Sequence, residues 1–250
     1  MNKLKKSADA PQVLTNRGPA LANQLSDMVQ AGRSSRLFDS SPFQLFNHHT
    51  VKRQLLDDQH NKCAYCERMK NGDYGAVEHF RPKGTYYWLA YTWDNLLFSC
   101  SECNSSYKRD HFPLLDETAR NIAQQDISRE EPALLNPYAD DPADHLMYEQ
   151  FIVKPRLVDG NEDVRGRATI DLFKLNDRND LLYSRQKTWH EYEKCKMQVS
   201  IIEKILANGV PDAERAEYDN LLSNAEDALR QMESDEAPFA GMIKYQVGRG

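Results

Sequence analysis

The chain has 250 residues, 40% hydrophobic and 28% charged, with a net charge of −6 and a pI near 5.7. That composition places it among ordinary globular proteins and argues against a strong stand-alone nucleic-acid binder. No apolar run approaches the roughly 20 residues of a membrane span, and the basic start Met1-Asn2-Lys3-Leu4-Lys5-Lys6 leads into no apolar stretch. A cytoplasmic setting without membrane contact is therefore expected.

Charge is uneven along the chain. Residues 1–36 carry six basic side chains against two acids, a net of +4, whereas residues 110–150 carry ten acids against Arg120 and Arg129, a net of −8. A duplex would not lie across the second stretch unaided, so a partner supplying positive charge is expected.

After a turn at Asp9-Ala10-Pro11, Leu21, Leu25, Met28 and Val29 fall at helical spacing, with Gly32 as a stop. Ser41-Pro42 predicts the opening of a helix that runs to about His60 and buries Phe43, Phe46, Val51, Leu55 and Leu56. His48 and His49 are expected to be solvated on it. From Pro113 to about Pro155 breaker dipeptides recur (Glu131-Pro132, Asn136-Pro137, Asp141-Pro142), which predicts an irregular segment wrapped on the core with a short strand near 147–153. Asp140, Asp141 and Asp144 read as a solvated turn rather than a cation site. Helices are expected over Val164–Leu175 and from Asn179 to about Leu206, the second on the order of 40 Å long. Its stripe is Leu182, Arg185, Trp189, Tyr192, Val199, Ile202 and Leu206. Asn208-Gly209 ends it, and Pro211-Asp212 opens a partner helix with Tyr218, Leu221, Leu222, Ala225, Leu229 and Met232 on its apolar face. The four expected segments are an N-terminal helical part (1–62), a central unit (63–112), the wrapping segment (113–160) and a helical region (161–250) that could dock a partner. The chain carries no P-loop or Rossmann fingerprint, so any nucleotide hydrolysis would belong to a partner.

The chemistry concentrates between Cys63 and Asn104. Cys63-Ala64-Tyr65-Cys66 and Cys100-Ser101-Glu102-Cys103 are two Cys-x-x-Cys knuckles, which present four thiolates suited to a tetrahedral zinc ion; a redox dithiol is the alternative. Four sulfurs leave no open position, so the zinc would be structural. Cys195 lies in a helical pattern and reads as a small, wholly or partly buried thiol. The 33 residues between Cys66 and Cys100 exceed the roughly 15–20 of a simple zinc ribbon, so something folded lies between the knuckles. Ala76–Phe80 and Leu96–Ser99 read as strands, and Cys103-Asn104-Ser105-Ser106-Tyr107-Lys108 as the start of a helix.

This strand–loop–strand–helix order, with Glu78-His79, Asn95 and Asn104 in sequence, resembles the HNH endonuclease superfamily. The resemblance implies an α+β, mainly helical chain whose ββα-metal core is flanked by N-terminal helices and a C-terminal helical hairpin. It implies that His79 is the general base, that Asn95 fixes the loop and helps orient His79, and that Glu78 and Asn104 hold a catalytic Mg²⁺. Lys108 stands where some members place another histidine ligand, and its expected role is a phosphate contact.

Further motifs narrow the likeness. Lys62-Cys63-Ala64-Tyr65-Cys66-Glu67, Val77-Glu78-His79-Phe80-Arg81-Pro82-Lys83, Tyr87-Trp88-Leu89-Ala90-Tyr91, Phe112-Pro113-Leu114 and Leu135-Asn136-Pro137-Tyr138 are similar to the PtuB-type HNH proteins of Septu and retron anti-phage defence systems. The resemblance implies a toxic endonuclease held by a PtuA-like ABC-type ATPase. In retron systems it also implies a reverse transcriptase with its RNA–DNA hybrid. The substrate would be DNA, or RNA such as tRNA. Arg81 and Lys83 are then candidates for gripping the substrate backbone, with solvated loop charges as the alternative. Tyr86, Tyr87, Trp88, Tyr91 and Trp93 could stack bases or pack beneath the fold. The rival reading of the whole chain is a catalytically inactive, zinc-stabilised module that docks on the ATPase.

Overall fold

A computed structural model describes residues 1–33, 37–38, 41–70 and 75–246, and it is α+β, with two-stranded antiparallel sheets set among helices. Helix α1 (Gln12–Gln30) buries Leu14, Leu21 and Leu25, the face set by the expected spacing. At Gly18 it passes so close to Tyr91 that an added Cβ would meet the tyrosine Cβ at 3.0 Å.

The helix expected from Ser41 is shorter than its apolar pattern. Residues 41–44 form turns, Leu45–Asn47 make one 3-10 turn, and α2 runs only from His49 to Asp58. His48 is the break: its backbone is extended at ψ 140°, and its ring Nδ1 accepts from the Thr50 amide at 3.3 Å, satisfying a first-turn donor. Phe46, Val51, Leu55 and Leu56 are buried as expected, and His49 is exposed.

Just beyond α2, the buried Gln59 reaches the central strands. Its Oε1 accepts from the Phe98 amide at 2.8 Å and its Nε2 donates to the Phe98 carbonyl at 2.9 Å. Ala64 donates its amide to the same carbonyl at 3.1 Å, so the first cysteine knuckle is fastened to the strand that ends in the second. Strands β1 (Ala76–His79) and β2 (Leu96–Ser99) pair antiparallel, with Glu78 opposite Leu97 and His79 opposite Leu96. A wide, π-type helical segment, Glu102–Lys108, follows the second knuckle.

Residues 113–135 wrap on this unit through a bridge between Leu114 and Pro132, with Leu134 and Leu135 fully buried. The single strand expected near 147–153 is a hairpin instead. Strands β3 (Leu146–Glu149) and β4 (Ile152–Pro155) are separated by a turn in which Gln150 has a φ of 58°. The Asp140–Asp144 stretch is turn chemistry: Asp141 accepts from the Ala143 amide, and Asp140 pairs with Arg165 at 2.7 Å. A small β5–β6 pair (Leu157–Val158 with Asn161–Glu162) leads into α3 (Val164–Leu172), which Asp163 caps.

Helices α4 (Asn179–Ala207) and α5 (Asp212–Glu233) form the expected antiparallel hairpin, and Cys195 is half-buried on it. Burial on α4 is confined to Leu181, Arg185 and Tyr192, near its start, so the far half of the hairpin stands away from the core. A short α6 (Ala240–Lys244), not evident in the sequence pattern, returns under Met1. Gly241 comes so close there that an added Cβ would lie 2.2 Å from the Met1 carbonyl oxygen. One core cluster thereby joins Met1, the four knuckle cysteines, Phe173, Tyr192 and Ile243.

Candidate functional site

The four knuckle cysteines converge. The sulfurs of Cys63, Cys66, Cys100 and Cys103 lie within 4.8 Å of one another, and all four residues are buried. Among the described residues this is the group of metal-ligand side chains placed to hold an ion. Burial alone would raise Cys63, but hydrogen bonds from Cys100, Cys103 and Cys66 bring its thiol well below the ordinary range. Cys66 is pushed up by its contact with Cys100, and Cys103 by burial. Four thiolates cannot share so small a volume without a cation between them, and Zn²⁺ suits an all-sulfur set.

Two buried arginines fit a negative cluster at this point. Arg178 Nη1 donates to Cys103 Sγ at 3.3 Å, while its Nη2 also reaches Glu102. Arg185 is 2% exposed, and its Nε and Nη2 find no hydrogen-bond partner among the described residues. A zinc tetrathiolate would carry a formal charge of −2, part of which Arg178, itself shared with Glu102, and Arg185, near Cys66, would offset. Neither arginine was legible as part of the centre, because Arg178 lies 75 residues from Cys103. The ion would clip together the chain before β1 and the chain after β2, holding the strand pair from both ends.

Between the knuckles, His79 ends β1 with 4% of its surface exposed. Its Nε2 lies 3.0 Å from the Ala90 carbonyl, which can only accept, so Nε2 carries the proton and Nδ1 keeps its lone pair. The ring meets Phe46 edge-on at 4.6 Å. Burial, reinforced by the charge of Lys83, lowers the imidazole to about 3, so it is neutral at physiological pH. Asn95 sits on the 3-10 turn that leads into β2. Its Oδ1 accepts from the Arg81 amide at 2.8 Å, and its Nδ2 donates to the carbonyls of Arg81 and Leu89 at 3.0 and 3.2 Å. The side-chain amide thus pins the loop that leaves His79.

Glu78 is 3% exposed, and its Oε1 is 2.5 Å from Lys108 Nζ. Burial raises this carboxyl, opposed by Lys108 and Lys83. Lys108, expected at a substrate phosphate, is fully buried and also donates to the His79 carbonyl at 2.8 Å. Asn104 is half-buried in the wide turn, where its amide donates to the Cys100 carbonyl. The Glu78 carboxylate already has a cation against it, and a divalent ion placed there would meet the Lys108 ammonium, so the surroundings of Glu78 do not fit such an ion.

Arg81 is half-buried with its Nε on Glu130 at 2.9 Å and its guanidinium over Phe112. Glu130 also accepts from Tyr86 at 3.0 Å; this partner, 49 residues from Arg81, had no sequence signal. Lys83 is half-buried, with its ammonium 5.5 Å from the Phe46 ring, the ring that His79 meets edge-on. Tyr86, Tyr87, Tyr91 and Trp93 are buried and pack beneath the fold, and Trp88 is half-buried. A groove of about 520 Å³ borders the loop after His79, lined by Pro82, Thr85, Tyr86, His111, Phe112 and Arg120 among others.

No family model matches the chain. The chain is 36% identical over 172 residues to Septu protein PtuB of Bacillus mycoides (strain KBAB4), an overlap covering 63% of this chain and 57% of that relative. It is 35% identical over 137 residues to Septu protein PtuB of Bacillus thuringiensis, covering 54% of this chain and 44% of that one. The chain therefore spans about half the length of the curated relatives it matches. Among the described residues no helix is long and apolar enough to cross a membrane.

Proposed function

We propose that the chain is a PtuB-type component of a Septu-like anti-phage defence system, and that its β1–β2–helical-turn unit is an HNH-type endonuclease site hydrolysing phosphodiester bonds. The observation that carries this reading is His79, a neutral imidazole whose Nε2 is committed to the Ala90 carbonyl, leaving Nδ1 as a proton acceptor. In the proposed reaction Nδ1 takes a proton from the attacking water as its oxygen bonds to phosphorus. The P–O bond to the leaving oxygen breaks, that oxygen takes a proton from solvent, and the imidazolium returns its own to solvent. Asn95 holds the loop that sets the direction of the ring, and Lys83 draws the phosphate to it. A base lowered to about 3 is weak, but a phosphodiester seated beside Lys83 adds negative charge that favours the imidazolium and raises it. The cysteine-held zinc keeps the strand pair rigid and stays outside the chemistry.

The expected partner is a PtuA-like ABC-type ATPase, with a reverse transcriptase and its RNA–DNA hybrid in a retron setting. A basic partner surface would offset the charge of −8 over residues 110–150. The burial of Glu78, His79 and Lys108 favours a second reading, a zinc-stabilised module that docks on the ATPase without cutting. The test is to map the 5′ ends of all DNA and RNA in cells after the system is triggered. New ends in one class of nucleic acid with the wild type, and none with His79→Ala, are expected. Equal ends in both, or none in either, contradict the nuclease reading.

A further inference from the structure

The acid that precedes the proposed base already has its cation. Lys108 Nζ lies 2.5 Å from Glu78 Oε1 and donates to the His79 carbonyl at 2.8 Å, so the ammonium bridges two oxygens from adjacent residues of β1. Both side chains are out of solvent, Lys108 at 0% and Glu78 at 4% exposure. Among the described residues Glu78 belongs to no cluster of three or more histidine, cysteine, aspartate or glutamate side chains. A divalent cation entering here would meet a fixed positive charge in a medium of low dielectric, where like charges repel strongly.

We propose that Lys108 is the resident cation of this corner: its ammonium stands in for a divalent ion at Glu78, and the site works without Mg²⁺. The catalytic half of the proposal rests on the phosphodiesterase reading above; the occupancy half does not. Lys108 is too deep to touch substrate, so it is a positioning residue. It balances Glu78, ties the end of β1 to the wide helical turn, and adds its charge to that of Lys83 in keeping His79 neutral. One positive charge fixed in place does this without the water ligands a magnesium ion retains.

Occupancy is tested by titrating the zinc-loaded full chain with Mn²⁺ and following free Mn²⁺ by electron paramagnetic resonance. Wild type and Glu78→Gln are expected to give superimposable titrations. One ion bound by the wild type and lost in Glu78→Gln overturns the proposal. Where the single change does not fold, Glu78→Gln/Lys108→Met replaces it, since it leaves no buried charge unpaired. The catalytic half is tested by assaying zinc-loaded protein, with its partner, in buffer freed of divalent ions and again with millimolar Mg²⁺. Equal rates are expected, and cleavage seen only with Mg²⁺ overturns it. No cleavage in either buffer is failure of the nuclease reading, and the Mn²⁺ titration still decides what holds the Glu78 charge.

Discussion

The side chain of Asn95 engages both backbone groups of Arg81, accepting from its amide at 2.8 Å and donating to its carbonyl at 3.0 Å. Two residues after His79, this pairing decides where the chain turns out of β1. Replacing Asn95 with alanine leaves the Arg81 amide and carbonyl without partners, while the Leu89 carbonyl keeps the Thr92 amide at 3.2 Å, and is expected to cost about 2–3 kcal/mol. Urea denaturation of Asn95→Ala is expected to show that loss with zinc content unchanged.

The cysteine centre predicts about one zinc per folded chain, measurable by elemental analysis. Cys103→Ser is expected to lose the metal and the cooperative unfolding transition together, because the ion joins the two ends of the strand pair. Folded protein without zinc would contradict the assignment.

Arg178 predicts a subtler effect on the same centre. With its donation to Cys103 removed in Arg178→Gln, zinc affinity is expected to fall about 10–100-fold, as is usual when an outer partner of a metal ligand is lost. Competition with a colorimetric chelator measures it.

His79 makes stability depend on pH. Unfolded, the imidazole takes a proton near its ordinary value of about 6.5; folded, it does so only at about 3. Between those values the unfolded state binds more protons, so this contribution is fully present above about 6.5 and is lost as pH falls toward 3. The loss approaches about 1.4 kcal/mol per pH unit. Zinc-loaded wild type is therefore expected to lose more stability between neutral pH and mildly acid pH than zinc-loaded His79→Gln, measured by urea unfolding at each pH. Parallel pH profiles for the two would contradict the burial of a neutral ring.

Arg81 and Lys83, alike in the sequence, should separate under substitution. Arg81→Ala strands the Glu130 carboxylate, whose side chain is 0% exposed, and is expected to cost about 3 kcal/mol of stability. Lys83→Gln removes a charge that, among the described residues, forms no ion pair and acts on the buried Glu78 only at a distance. Its expected result is an unchanged melting temperature, weaker nucleic-acid binding and a shallower salt dependence of that binding.

What could be read from the sequence was local. The knuckles were legible because two residues between cysteines is itself the geometry of a metal turn. The strands were legible because Leu96–Ser99 is a short apolar run and Ala76–Phe80 is strand-like between Gly75 and Pro82. The role of Asn95 came from the resemblance; its three hydrogen bonds to the backbone of Arg81 and Leu89 had no signal in the sequence. The helix start at Ser41 was misplaced because periodicity continues through residues 43–56 while the backbone breaks at His48. The ion pair of Lys108 with Glu78, the reach of Arg178 to Cys103 and the hold of Glu130 on Arg81 join positions 30, 75 and 49 residues apart. No spacing rule reports such contacts. They arise when separate segments close on one core, and they turn expected surface cations into buried ones.

The central claim is that His79 is the base of a nuclease. It is tested most directly by incubating the purified, zinc-loaded chain with its ATPase partner and with labelled DNA and RNA, wild type beside His79→Ala. The account predicts cleavage by the wild type and its loss in His79→Ala, with zinc content and melting cooperativity retained. Equal cleavage by the two proteins would contradict it.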